Sequence, residues 1–353
     1  MLLRSARAAT IAVTAGAIGL AVAAPPAAGR TAVVDCRTSP TALRTAIDGA
    51  AAGDTLRVKG TCTGPFTIDK NLTLIGEERA VLDGNRAGST VAVAIGVRVR
   101  LTKLTITHGT GTGDEGSAQG GGIYNYAGTV TLTDCSVEDN TAGAGGGIFS
   151  TSTQAGDFGT VTLDNSVVKN NTATAGGGGI YNGNGLVTLT DSTVRDNTAG
   201  NGGGVASAAG TVALTNSTVK YNTVDGSGGG ISIGSTSSGG DFPVTGTLTL
   251  TDSTVEHNTA VRSGGGIDSG DSALTLTRSK VRDNSAKGEG EGFGGGIANA
   301  GKTVLVRSSV ERNTANIGGG IANGGAVVLD HSTVRRNKPD NCSPPGGIDG
   351  CTG

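Results

Sequence analysis

Three aromatic residues, Tyr124, Phe149 and Tyr181, each follow an isoleucine that itself follows a glycine cluster, at steps of 25 and 32 residues. The chain has only four Tyr, five Phe and no Trp, so one recurrent position holds a third of its ring surface. Flat apolar faces with polar rims are what sugar rings stack on. A second set is cationic: Lys169, Arg195 and Lys220 take the second position of VKNN, VRDN and VKYN. Three positive charges in line suit an acidic polysaccharide, or the charge stabilisation that an elimination reaction needs. Two Gly-Asp-Phe triplets, containing Asp157-Phe158 and Asp241-Phe242, sit in the Ser/Thr/Gly-rich segments 151–159 and 234–246. Loops of this kind, held on a rigid support, often carry binding. These ten residues are the expected glycan-contacting set.

Composition narrows the classes. Of 353 residues 64 are Gly and 8 are Pro, and apolar residues make up 35%. Gly is a poor helix former, which excludes a helical bundle or an ordinary α/β enzyme. The glycines lack a three-residue period, which excludes collagen. The formal charge of −2, from 27 basic and 29 acidic residues, gives no basic field for nucleic acid. His108, His257 and His331 share no spacing that marks a metal or a triad, and no cofactor motif is present. Five cysteines fit an oxidising compartment. The pairs Cys36–Cys62 and Cys342–Cys351 are expected to staple the two ends, leaving Cys135 as a buried thiol.

The elements that position these residues come from a repeat. Gly-aliphatic pairs recur at Ile123, Ile148, Ile180, Val205, Ile231, Ile267, Ile297 and Ile321. A second segment of the type TVTLTDCSV or TLTLTDSTV follows each one, then Val-x-x-Asn ending at Asn140, Asn171, Asn197, Asn222, Asn258, Asn284, Asn313 and Asn337. Eight copies of three linked motifs at steps of 24 to 36 residues make a solenoid. Apolar residues alternate within each run, as in strands, and three strands per coil are expected. Val, Leu and Ile then line the interior, and the stacked Asn residues can donate to one neighbour and accept from the other.

The Gly-Gly-Gly-Ile and Val-x-x-Asn pair is similar to the repeat of polymorphic outer membrane proteins, whose units carry Gly-Gly-Ala-aliphatic and Phe-x-x-Asn. Val stands here where that Phe usually sits. More broadly, residues 32–353 resemble the secreted bacterial right-handed parallel β-helix proteins of the pectate-lyase-like superfamily. The resemblance implies an all-β, right-handed parallel β-helix of ten to eleven coils. It does not name the activity, since lyases, hydrolases, adhesins and phage spikes share the fold. Lyases of the superfamily typically use Arg or Lys with calcium-binding acids, and hydrolases use Asp clustered on adjacent coils. Here Asp139, Asp196 and Asp283 share a repeat position but never on neighbouring coils. The pairs Asp268/Asp271 and Glu289/Glu291 lie in Gly/Ser-rich turns and read as solvated. No catalytic residue is identified.

The ends complete the expectation. Arg4 and Arg7 followed by an Ala-rich apolar run read as a signal peptide over 1–28, not a membrane span. An N-terminal cap and irregular first coils follow over 29–117, with a short capping helix begun by Ser39-Pro40. The eight-repeat helix occupies 118–338 and a capping tail 339–353. The chain is expected to be a secreted or wall-associated monomer without cofactor or metal, non-catalytic, and in contact with polysaccharide or cell-envelope glycan. A polysaccharide lyase or glycoside hydrolase near Lys169, Arg195 and Lys220 is the alternative, and a purely structural solenoid a second one.

Overall fold

The computed structural model describes residues 29–114, 117–153, 156–236, 244–288 and 292–352. The expected leader at 1–28 lies outside the described residues, as do Asp241, Phe242, Glu289 and Glu291. No helix among the described residues is long and apolar enough to cross a membrane.

The chain winds into a right-handed parallel β-helix with three sheets, of 11, 21 and 7 strands. One coil shows the plan: Ile123–Tyr126 enters the 11-stranded sheet, Thr129–Thr133 and Ser136–Glu138 the 21-stranded sheet, and Thr141–Ala144 the 7-stranded sheet. The seven coils that begin at Ile123 through Ile297 therefore each contribute four runs to these sheets rather than the expected three. Asp134 divides the second motif, because its φ of 55° places it in the left-handed region and bends the sheet. Register is strict from coil to coil, with Ile123, Ile148 and Ile180 stacked on one another. The inward Val, Leu and Ile residues, such as Val130, Leu132 and Val137, form one continuous core along the axis.

Two polar ladders run beside that core. Asn222 donates from Nδ2 to Asn258 Oδ1 at 2.9 Å, and its own Oδ1 accepts from Asn197 Nδ2 at 3.0 Å. The same bond recurs from Asn140 to Asn337, so amides that would be costly to bury unpaired are satisfied by translation. Serines form the second ladder: Ser192 N–H donates to Ser217 Oγ while Ser192 Oγ donates to Thr190 O. Cys135 stands one coil above Ser166 in this column, donating from its N–H to Ser166 Oγ at 3.1 Å and from Sγ to Thr133 O at 3.3 Å. The lone cysteine thus takes a serine's place, and burial pushes its thiol up to about 11.

The glycine cluster is a steric requirement. Gly177 has φ +64°, and a Cβ on Gly179 would lie 2.6 Å from Gly204 O on the next coil. The N-terminal end is closed by helix α1 (Ala42–Gly49), which buries Leu43 and Ile47 over the first coil. This helix starts two residues later than the Ser39-Pro40 expectation. Pro40 O is taken by Thr63 N–H at 2.7 Å, so Thr41 becomes the N-cap, without a side-chain cap bond. Both expected disulfides are present, with Cα separations of 5.1 Å for Cys36–Cys62 and 6.3 Å for Cys342–Cys351. Cys342–Ser343 adds the last strand of the 11-stranded sheet, and Ile348 is buried against the core.

Candidate functional site

Outward residues of the 11-stranded sheet form one column along the axis. Ala92, Tyr124, Phe149, Tyr181 and Ala206 occupy successive coils in register. The column continues through Ser232, Asp268, Ala298 and Ala322. Side-chain size therefore changes abruptly at one coil, from three rings to a run without any.

The rings stack on one another. Tyr124 and Phe149 have centroids 5.8 Å apart at 12°, and Phe149 and Tyr181 5.1 Å apart at 5°. Tyr126, two residues on in the same strand, has its ring 6.3 Å from Tyr124, while Ala92 precedes Tyr124 in the column. Coil spacing of about 4.8 Å places the rings almost at stacking distance, so the ladder forms by repetition alone. Phe149 is 5% exposed and has both faces covered by its neighbours. Burial raises the Tyr124 and Tyr181 hydroxyls above the usual tyrosine range. Tyr181 has a ring on one face only. Its other side looks along the column over the methyl of Ala206, and no other ring among the described residues stacks there.

Beyond this ridge the column carries small residues on the next two coils, Ala206 and Ser232. Near the C-terminal end a groove of about 370 Å³ includes Ala298 and Ala322 of this column, with Phe293, Ile317 and Pro344 also lining it. Phe293 and Ile317 are 41% and 44% exposed. Asp268 lies in the groove, accepting hydrogen bonds from Ser263 Oγ and from Gly270 N–H at 3.1 Å. The Ser263 and Ser227 hydroxyls are 2.7 Å apart, extending the polar edge by one coil.

The cationic stripe has a different character. Lys169, Arg195 and Lys220 are in register on three successive coils of the 21-stranded sheet. Lys169 pairs with Glu138 at 2.9 Å and Arg195 pairs with Asp196, so two of the three charges are matched locally. Lys220 is in no ion pair among the described residues; its ammonium lies 5.7 Å from the Tyr221 ring centroid. Tyr221 in turn stacks on His257 at 5.1 Å. Both occupy the left-handed turn position that Asp139, Asp196 and Asp283 hold on other coils. Asp283 is gripped by Arg312 at 2.9 and 3.0 Å, which lowers its carboxyl below the usual range.

The remaining expected residues are placed as follows. Asp157 and Phe158 lie on an exposed loop that leaves the strand carrying Phe149, with Phe158 63% exposed. The 234–246 segment starts as an antiparallel pair, Ser235–Thr236 with Val244–Thr245, three coils further on. His108 contacts Asp83 at 3.1 Å and His331 contacts Asp330, far from both loops in sequence. Among the described residues no group of three His, Cys, Asp or Glu could hold a metal.

Asp268, expected in a solvated turn, lies instead in the strand Ile267–Asp268, three coils beyond Tyr181 in the same column, and lines with Phe293 and Ile317 a groove that sequence reasoning missed. The signal was present in the residue immediately ahead of each glycine cluster. That position is Ser227 and Ser263 on two coils but Phe293 and Ile317 on the next two, stacked through isolated bridges.

No family model matches the chain, and no curated protein matches it. A solved structure described as the crystal structure of pectate lyase Pel9A is similar over 90% of this chain and 80% of that one, with TM-score 0.49 and 15% identity.

Proposed function

We propose that the protein is a secreted, non-catalytic β-helix that binds a glycan chain along the outer face of its 11-stranded sheet. The observation that carries this reading is the end of the ring stack. Tyr181 leaves one ring face unstacked at the start of a run of small residues, and further along the same column lies a groove flanked by the exposed ring of Phe293. Apolar ring faces over a small-residue floor, with hydroxyl and carboxylate groups at the edge, match the mixed apolar and polar surface of a sugar. Phe158, and Asp157 beside it, would border the ridge; Asp241 and Phe242 are assigned to the same surface from sequence. Tyr124 and Phe149 act in this reading as the stack that holds Tyr181 rigid. The Ala-rich leader and the two disulfides support export to an oxidising compartment.

A second reading, a lyase or hydrolase acting on acidic polysaccharide at Lys169, Arg195 and Lys220, draws on the Lys220 ammonium, which alone of these three is in no ion pair among the described residues and lies beside Tyr221. One experiment separates the two. The purified protein is incubated with neutral, acidic and amino-sugar polysaccharides while retention, reducing ends and unsaturated product are recorded. Retention without product, lost in a Tyr181→Ala/Phe293→Ala double variant and kept in Lys220→Ala, is the expected result. Product of either kind that disappears in Lys220→Ala would overturn it, and absence of both retention and product would leave a purely structural solenoid.

A further inference from the structure

The groove carries a charge that the rest of its lining does not answer. Of the described residues that line the groove, Asp268 is the only titratable one; the others are apolar, hydroxyl, amide or glycine groups. Asp268 belongs to no ion pair among the described residues. Asp252 and Glu311, on the 21-stranded sheet, are by contrast held by Arg278 and Arg335. The nearby amides are already committed: Asn299 Nδ2 donates to Asn323 Oδ1 at 2.8 Å, and Asn323 Nδ2 donates to Gly325 O at 3.1 Å. A carboxylate can accept about four hydrogen bonds, and Ser263 and Gly270 supply two.

We infer that the glycan bound in this groove is cationic, a polymer of amino sugars with free primary ammonium groups, and that Asp268 is the group that selects it. The inference rests on the glycan reading above. An ammonium over Asp268 supplies the missing counter-charge and fills the remaining acceptor positions with charge-assisted bonds. The exposed Phe293 ring offers the same cation a π-face and the sugar body an apolar one. An acidic polymer would meet like charge at Asp268, and a neutral or N-acetylated one would cover the carboxylate with no counter-charge, which costs binding energy. Lys220 and its neighbours are on a different sheet and play no part.

The test is a calorimetric titration of the intact protein with a glucosamine oligomer at a pH where its amines are protonated. The N-acetylated oligomer, a galacturonate oligomer and a lysine oligomer of equal charge serve as comparisons. The expected result is binding of the free-amine sugar at least tenfold tighter than each of the other three. Asp268→Asn should lose at least tenfold with an unchanged melting curve, while Asp330→Asn, on another sheet, binds as the parent does. If Asp268→Asn does not fold, Ala298→Leu, which fills the floor, should abolish binding instead. Equal binding of the acetylated or acidic oligomer, or full binding by Asp268→Asn, would overturn the charge assignment and leave the glycan reading standing. Binding of the lysine oligomer as tight as the amino sugar would overturn the choice of a glycan, and failure of every sugar to bind would sink both readings.

Discussion

The interior asparagine ladder and the outward column of the 11-stranded sheet are built by the same coil-to-coil translation, yet they differ in what they tolerate. Inside, Asn140 to Asn337 are identical on eight coils because each amide is both donor and acceptor to the next. Outside, the residue in register changes from Tyr181 to Ala206 in one step, and the sheet beneath is unaltered. A buried ladder constrains its members to one residue type, since any gap strands polar atoms on two neighbours. A solvent-facing column imposes only strand geometry, so its side chains are free to form a ridge on some coils and a groove on others. The surface proposed for recognition is therefore made of departures from the repeat.

Breaking the interior ladder should have the largest effect. Asn222→Leu removes the acceptor for Asn197 N–H and Nδ2 and the donor to Asn258 Oδ1 and Val194 O. With several buried groups left unpaired, a loss of about 4 kcal/mol is expected in a denaturant titration. An unchanged midpoint would show that the ladder is not held by these bonds. The outward ridge should respond less. Phe149→Ala deletes two ring stacks, each worth about 1 kcal/mol, together with buried apolar area, for a total of about 3 kcal/mol. Tyr124→Ala also deletes two ring contacts, but they are the longer ones, at 5.8 and 6.3 Å, and its ring is less buried, so it should cost less. A Tyr124 variant as damaging as the Phe149 one would place the stabilisation elsewhere.

The smallest effect sharpens the comparison at the join between ladder types. Cys135→Ser should change stability by less than about 1 kcal/mol, because serine makes the equivalent bonds in the coils that follow. With its thiol held up to about 11 by burial, Cys135 should react very slowly with iodoacetamide at pH 8 in the folded protein. The sign of its pH dependence follows. A folded-state value above the unfolded one contributes stability that is complete below about pH 9 and lost as pH rises toward 11, and the serine variant should lack that loss. Rapid alkylation at pH 8 would place the thiol at the surface.

Much of this architecture is legible in the chain itself. Eight repeats of Gly-Gly-Ile, an alternating strand and Val-x-x-Asn specify stacked parallel strands, an apolar interior and an amide ladder, because each depends only on period and residue type. The terminal disulfides were legible for a related reason: each pair of cysteines brackets one end of the repeat array. The bend at Asp134 was not, since left-handed backbone at Asp does not alter the apolar pattern on either side. The later helix start also lay outside the pattern, because a carbonyl claimed by Thr63 is a contact between segments.

The candidate site divides the same way. That Tyr124, Phe149 and Tyr181 share an outward column is a consequence of spacing, which the sequence by itself determined. Which ring faces remain open was decided by coil spacing and by the size of Ala206, and only the tertiary structure places that alanine beneath Tyr181. Likewise the pairing of Lys169 with Glu138, and the absence of a partner for Lys220 among the described residues, depend on which side chains reach one another across coils. The groove of Phe293, Ile317 and Asp268 draws on residues from several turns whose separation in sequence varies with loop length. A solenoid's period determines what each coil must be; the surface between coils is set by stacking, because only stacking brings neighbouring turns within contact.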